Sequence, residues 1–290
     1  MKTIAIFTTT RAEFGILSAF INQIERSNDT QYMLFVGGAH LAIESGYTIT
    51  EIKKLNYTIT DTFDYQLNLS NSPTIAKSIG FCTIELANIF EKHIFDYVCV
   101  LGDRLELLSI ITNALVFGKP IIHIHGGERS EGAIDEQIRH MITKASHIHF
   151  AACNEYADNI VKMGEQKWRV HNVGALAVDN MVNLSKTSKY ELFNLLNLDI
   201  KKPTVLMTYH PVTLEFDLDP LAQIQNIFEA LKPFDLQVVV TSPNADKDRD
   251  IIFNYINEQV VLNSNIRFIN SLGVRNYLSL IPFCIFVIGN

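Results

Sequence analysis

The sequence predicts an α/β protein built on doubly wound parallel sheets, and three observations carry that expectation. Short apolar, β-branched runs recur along all 290 residues, segments of helical period separate them, and polar or glycine-bearing loops follow them. Strands separated by helices of ten or more residues imply right-handed crossovers and a sheet covered on both faces. At roughly 150 residues per domain the chain makes two.

The first strand is read at Thr3 to Thr8, because Met1-Lys2-Thr3-Ile4-Ala5-Ile6-Phe7 lacks the long apolar stretch and cleavage site of a secretion signal. A helix over Phe14 to Ile24 follows, with apolar residues at 14, 16, 17, 20, 21 and 24. Further strands fall at Met33 to Val36, Tyr97 to Leu101, Ile121 to His125, His147 to Ala151 and Arg169 to Val173, and a second periodic helix spans Ile75 to Phe90. A polar, partly helical stretch from Asn183 to Lys202 leads through Pro203 to strands at Thr204 to Thr208, Gln237 to Thr241, Ile266 to Phe268 and Phe283 to Ile288. The domains are accordingly read as 1–180 and 181–290. Phe283-Cys284-Ile285-Phe286-Val287-Ile288 is a run of the kind found in central strands buried on both faces, the alternative being an edge strand of a smaller domain. A covering helix normally follows such a strand, so the sequence reads as stopping in mid-fold at Gly289-Asn290.

Composition narrows the function. Twenty-four Lys and Arg against 31 Asp and Glu give a net charge of −7 with no basic run, which argues against nucleic acid as a partner. No stretch approaches the ~18 uninterrupted apolar residues of a membrane span. Cys82, Cys99, Cys153 and Cys284 show no C-x-x-C spacing and are expected to be thiols in a reducing cytoplasm.

Ligands of open parallel sheets bind outside the carboxyl ends of the strands, so the residues after each strand are the candidates. Thr9-Thr10-Arg11-Ala12-Glu13 sets a guanidinium at a helix start, or is a solvated arginine–glutamate pair. Gly37-Gly38-Ala39-His40 permits close backbone approach to a ligand, or is a plain turn. Gly102-Asp103-Arg104-Leu105-Glu106 holds Asp103 at the sheet edge, where it serves proton transfer or caps a helix. The densest cluster is His-Ile-His-Gly-Gly-Glu at 123–128, with Asp135, Glu136 and Arg139 on the next helix. By strand period His123 and His125 share a face, and Asp135 and Arg139 are spaced to pair. His123, His125, Glu128, His140, His147 and His149 invite a zinc reading, but no H-E-x-x-H or comparable helical pairing exists and no metal is expected. Tyr209-His210-Pro211 and Ser242-Pro243-Asn244 follow strands of the second series. If the two halves face one another, His210 meets Asp103, Glu128 and Asp135 with acids and bases on opposite sides of one ligand.

Thr-Thr-Arg-Ala-Glu at 9–13, Gly-Asp-Arg at 102–104, His-Ile-His-Gly-Gly-Glu at 123–128 and Ile-Asp-Glu-x-Ile-Arg-His at 134–140 run in order along the chain. Thr-Lys-x-Ser-His at 143–147, Val-Gly-Ala at 173–175 and His-Pro at 210–211 continue the series. Together they resemble the hydrolysing UDP-N-acetylglucosamine 2-epimerases of sialic and legionaminic acid biosynthesis. The resemblance implies a GT-B-like architecture, two Rossmann-like doubly wound domains with the second incomplete, and a sugar nucleotide in the cleft between them. It also implies release of UDP and a 2-epimerised sugar through a glycal, no cofactor, and a homodimer.

By position, Asp103, Asp135 and His210 match catalytic residues of the family, and Arg11, His40, Arg139 and Asn244 match nucleotide-sugar contacts. Arg104, Glu136 and Asn290 join the candidate substrate contacts. Some members carry glutamate where this chain has His125, so either His125 or Glu128 takes that proton transfer. The family continues beyond its Ile-Gly-Asn with a loop and helix that hold the nucleotide, whereas this chain stops at Asn290. The resemblance therefore implies a truncated copy with weak nucleotide binding and little turnover. A retaining glycosyltransferase of the same architecture and a non-catalytic nucleotide-sugar-binding homologue are the rival readings. N-acetylglucosamine and a diacetamido-trideoxy sugar are both open as the substrate sugar.

Overall fold

The computed structural model describes residues 1–65, 72–130, 134–183, 185–210, 219–243 and 249–289. The chain divides into two compact units, Met1–Val182 and Asn183–Asn290.

The first unit runs β1 (Lys2–Thr8), α1 (Arg11–Glu25), β2 (Thr30–Gly37), α2 (Ile49–Lys54), β3 (Ile59–Phe63), α3 (Ser72–Lys92) and β4 (Tyr97–Leu101). It continues through α4 (Leu107–Val116), β5 (Ile121–Ile124), α5 (Ile134–Ala145), β6 (Ile148–Ala151), α6 (Asn154–Lys162), β7 (Val170–Asn172) and α7 (Leu176–Asn183). The strands are all parallel, in the order β3-β2-β1-β4-β5-β6-β7. Strand alternation divides the core into two layers. Phe7, Phe35, Val98 and Val100 pack with Leu86, Phe90 and Ile110 on one face, while Ile6, Leu34, Val36, Cys99 and Ile122 pack with Leu17 and Ile21 on the other. Each such side chain removed from water contributes about 1.5–3 kcal/mol before chain entropy is counted. The strand order reverses between β1 and β4, and a doubly wound sheet opens its ligand crevice at that switch point.

The second unit comprises α8 (Lys189–Leu195), β8 (Thr204–Thr208), α9 (Pro220–Leu231), β9 (Gln237–Thr241), α10 (Arg249–Leu262), β10 (Ile266–Ile269), α11 (Gly273–Leu280) and β11 (Phe286–Gly289). Its parallel strands lie in the order β10-β9-β8-β11, so its own switch point falls between β8 and β11. Ser188 and Glu191 form a capping box that starts α8, and Asp219 caps α9 with Pro220 in the first turn.

Three expectations need correction. β3 was not anticipated, because Ile59-Thr60-Asp61-Thr62-Phe63 carries only two apolar residues at the sheet edge. Its Asp61 accepts from Lys92 Nζ at 2.7 Å and lies 3.0 Å from His93 Nε2, and the lysine hydrogen bond does most to hold its pKa down to about 2. β5 ends at Ile124 rather than His125, whose φ of 63° takes it out of the strand. The run from Phe283 is not a buried central strand. Ile281–Phe283 is a 3₁₀ turn, and β11 lies at the edge of its sheet, paired to β8, with Phe286 and Val287 exposed. Among the described residues no helix is long and apolar enough to cross a membrane. All four cysteines are free thiols, Cys82 and Cys99 buried.

Candidate active site

The loop after β1 begins the site. Thr10 caps α1 by accepting from the Glu13 N–H at 3.4 Å, which brings Arg11 to the first helical position, half-buried at the switch point. Glu13 is not the solvated partner of Arg11 that its position suggested. It is buried, and its Oε2 accepts from the Thr9 N–H at 2.8 Å and the Thr9 hydroxyl at 3.2 Å, while Oε1 is buried with no hydrogen-bond partner among the described residues. Burial pushes its pKa up to about 7. The Thr-x-x-Glu spacing of a capping box was the available signal for this inward turn. His40 is also fully buried, with Nε2 3.2 Å from Thr8 Oγ1 and Nδ1 2.8 Å from Thr48 Oγ1, so it braces the loops after β1 and β2.

Across the switch point, the loop after β4 presents Asp103 and Arg104. Arg104 Nε donates to Glu106 Oε1 at 3.0 Å. Burial opposes charge on Glu106, yet Arg104 and a hydrogen bond from Thr9 keep its pKa below the ordinary value. Arg139 lies on the buried face of α5 and donates through Nη2 to Asp103 Oδ2, with Nη1 3.5 Å from Glu128 Oε2. The Asp135–Arg139 pair suggested by helical spacing is therefore replaced by pairing across strand ends, because Arg139 faces the sheet. Burial raises the Asp103 pKa above its usual value, with Asp135 adding to the rise and Arg139 opposing it.

His125 Nδ1 lies 2.7 Å from Glu128 Oε1, completing a line His125–Glu128–Arg139–Asp103. Two glycines permit this turn. A Cβ on Gly126 would stand 2.9 Å from His123 Nδ1, and one on Gly127, at φ 77°, would stand 2.3 Å from the Tyr156 carbonyl oxygen. His123 faces the core instead, with Nε2 2.8 Å from the Gly102 carbonyl and Nδ1 3.2 Å from Thr143 Oγ1, tying β5 to the loop that carries Asp103. Asp135 and Glu136, both half-buried, start α5 beside this cluster. Elsewhere in the first unit, buried Glu165 accepts from Lys144 at 2.5 Å and Arg169 at 2.7 Å and lies 3.5 Å from His149 Nε2, a cluster the motifs did not reveal. Among the described residues no group of three or more His, Cys, Asp or Glu side chains could hold a metal ion.

The buried groups set the acid response. Burial lowers the pKa values of His40, His123 and His149 to about 4, about 3 and about 4. In the unfolded chain each titrates near ~6.5, so the unfolded state gains protons first and stability, full above that value, is lost as pH falls toward the folded values. Glu13 works in the opposite sense, since a raised carboxyl pKa contributes stability below ~4.5 that is lost as pH rises through about 7. Three imidazoles outweigh one carboxyl, and urea midpoints are expected to fall from about pH 7 to about pH 4; a flat profile would contradict this. Glu13→Gln is expected to steepen that profile and to exceed the wild type at about pH 8 by about 1 kcal/mol, measured the same way. A less stable variant there would contradict the burial of a titrating Glu13.

In the second unit, His210 is half-buried directly after β8, at that sheet's switch point. Asn244, Asn290 and Pro211 lie outside the described residues.

The family described as UDP-N-acetylglucosamine 2-epimerase matches residues 22–290. A GDP/UDP-N,N'-diacetylbacillosamine 2-epimerase (hydrolyzing) of Campylobacter jejuni is 32% identical over 291 residues, covering 100% of this chain and 75% of that relative. The UDP-N,N'-diacetylbacillosamine 2-epimerase (hydrolyzing) of Legionella pneumophila is 31% identical, covering 100% and 76%. Among solved structures, UDP-GlcNAc 2-epimerase from Neisseria meningitidis bound to UDP-GlcNAc superposes with a TM-score of 0.83 at 16% identity, covering 100% of this chain and 77% of that one. The Methanocaldococcus jannaschii UDP-GlcNAc 2-epimerase in complex with UDP-GlcNAc and UDP gives 0.79 at 20%, covering 100% and 78%. With the fold shared along its whole length and the sequence match spanning both units, the chain belongs to the UDP-N-acetylglucosamine 2-epimerase family of enzymes.

Proposed function

We propose that this chain is a cytoplasmic hydrolysing UDP-sugar 2-epimerase serving nonulosonic acid biosynthesis, with residues 181–290 as the nucleotide-binding domain. The observation that carries the reading is the Asp103–Arg139–Glu128–His125 line at the carboxyl edge of the first sheet, where carboxylates, an imidazole and a buried guanidinium converge beside the switch point. The names of the Campylobacter and Legionella relatives support it. In this scheme a base removes the proton from the second sugar carbon and the C1–O bond to the diphosphate breaks, leaving a glycal and UDP. Water then adds across the double bond, a proton reaching the second carbon from the opposite face and hydroxide the first. The balance is UDP-sugar plus water to UDP plus the epimerised sugar, with no net change of oxidation state. Asp103, Asp135 and His210, together with His125 or Glu128 from the loop after β5, carry the proton transfers, and Arg11, His40, Arg104, Glu136, Arg139, Asn244 and Asn290 bind or brace the sugar nucleotide.

The test is to incubate the protein with UDP-N-acetylglucosamine and with UDP-diacetamido-trideoxyglucose and to identify products by NMR. Free UDP with the 2-epimerised sugar from one of the two is expected. UDP accompanied by sugar of unchanged configuration would contradict the reading.

A further inference from the structure

The loop from Ile124 to Glu128 carries two groups able to exchange a proton, and their surroundings differ. His125 uses Nδ1 on Glu128 Oε1 at 2.7 Å, and its Nε2 is buried with no hydrogen-bond partner among the described residues. The His125 side chain is 16% exposed, but its unpaired Nε2 is closed to solvent. The Glu128 side chain is 22% exposed, with Oε1 held by His125 and Oε2 3.5 Å from Arg139. It is the somewhat more exposed of the two, and both its oxygens face a cation or donor. The backbone agrees: at φ 63° His125 occupies a conformation that few side chains other than Asn, Asp and His adopt readily, and from there its Nδ1 reaches back over the turn.

We propose that Glu128, not His125, is the catalytic residue of this loop, exchanging the proton with the bound sugar, and that His125 is its positioning residue. This rests on the epimerase reading above. As a carboxylate Glu128 accepts one proton from the ligand, its O–H bond forming as the ligand's bond to hydrogen breaks, and it returns that proton to water before the next turnover. His125 keeps its Nδ1–H throughout and is never the donor to sugar.

The experiment pairs kinetics with imidazole NMR. Glu128→Gln is expected to lower kcat by about 10²–10⁴-fold with KM little changed, whereas His125→Asn, which keeps a donor near the Nδ1 position and tolerates positive φ, costs about tenfold or less. His125→Ala, lacking that donor, falls well below His125→Asn. In the wild type, ¹⁵N spectra of His125 are expected to show the Nδ1–H tautomer, altered in Glu128→Gln. Collapse of activity in His125→Asn with Glu128→Gln nearly intact, or an Nε2–H tautomer, would overturn the proposal. A wild-type protein that releases no UDP would instead overturn the epimerase reading, and the imidazole spectrum, which needs no turnover, tells the two failures apart.

Discussion

Replacing Arg139 by methionine is expected to lower stability at neutral pH by about 2–4 kcal/mol and to cut turnover by at least about 10³-fold. Arg139 is 7% exposed, and its guanidinium is the cation shared between Asp103 and Glu128. Methionine fills the space of the stem but leaves both carboxylates without it. Because those side chains are 20% and 22% exposed, water partly compensates, and the loss stays toward the lower end of that for a fully buried pair. Asp103, whose pKa burial already raises, then takes up a proton at higher pH still, and the penalty shrinks as pH falls. Adding Asp103→Asn to the variant should restore part of the stability and none of the activity. Urea unfolding at two pH values checks this, and an Arg139→Met protein as stable as the wild type at neutrality would contradict it.

Gly127→Ala is expected to cost about 2–5 kcal/mol, the sum of a left-handed residue and an overpacked contact. The added methyl meets backbone, the Tyr156 carbonyl at 2.3 Å, and Ile160 Cγ1 at 2.8 Å, so no flexible side chain can move aside. The loop must lift from α6, breaking the 3.1 Å bond from Asn159 Nδ2 to the Gly127 carbonyl and drawing Glu128 from Arg139. Gly102→Ala is the control: its φ of 80° is also left-handed, but a Cβ there meets nothing within 4 Å among the described residues. Thermal unfolding of the two variants separates conformational strain from steric conflict, and equal losses would contradict the packing argument.

Much of the fold was legible because strands buried on both faces announce themselves. Tyr97–Leu101, Thr204–Thr208 and Gln237–Thr241 match their sequence readings to the residue. β3 escaped because an edge strand can hold Asp61 at its centre, paid in surface ion pairs rather than burial. At the site, residue types and loops were legible, but partners were not. Helical spacing pairs Arg139 with its own helix, and only the fold turns it to Asp103. Alternation puts His125 on a strand face, whereas the φ that removes it from β5 has no signature in a pattern of apolar residues. The burial of Glu13 has no apolar signature for a related reason: its neighbour Arg11 suggests a surface pair, while the Thr9 hydroxyl and N–H that donate to it lie inward.

Deuterium incorporation during turnover of a UDP-HexNAc in heavy water decides whether the C2–H bond breaks. If carboxylates at the strand ends drive elimination and readdition, the free sugar carries one deuterium at its second carbon, in inverted configuration, for each UDP released. UDP released with protium retained at that carbon would mean that the C2–H bond never breaks, and the proposed chemistry would be wrong.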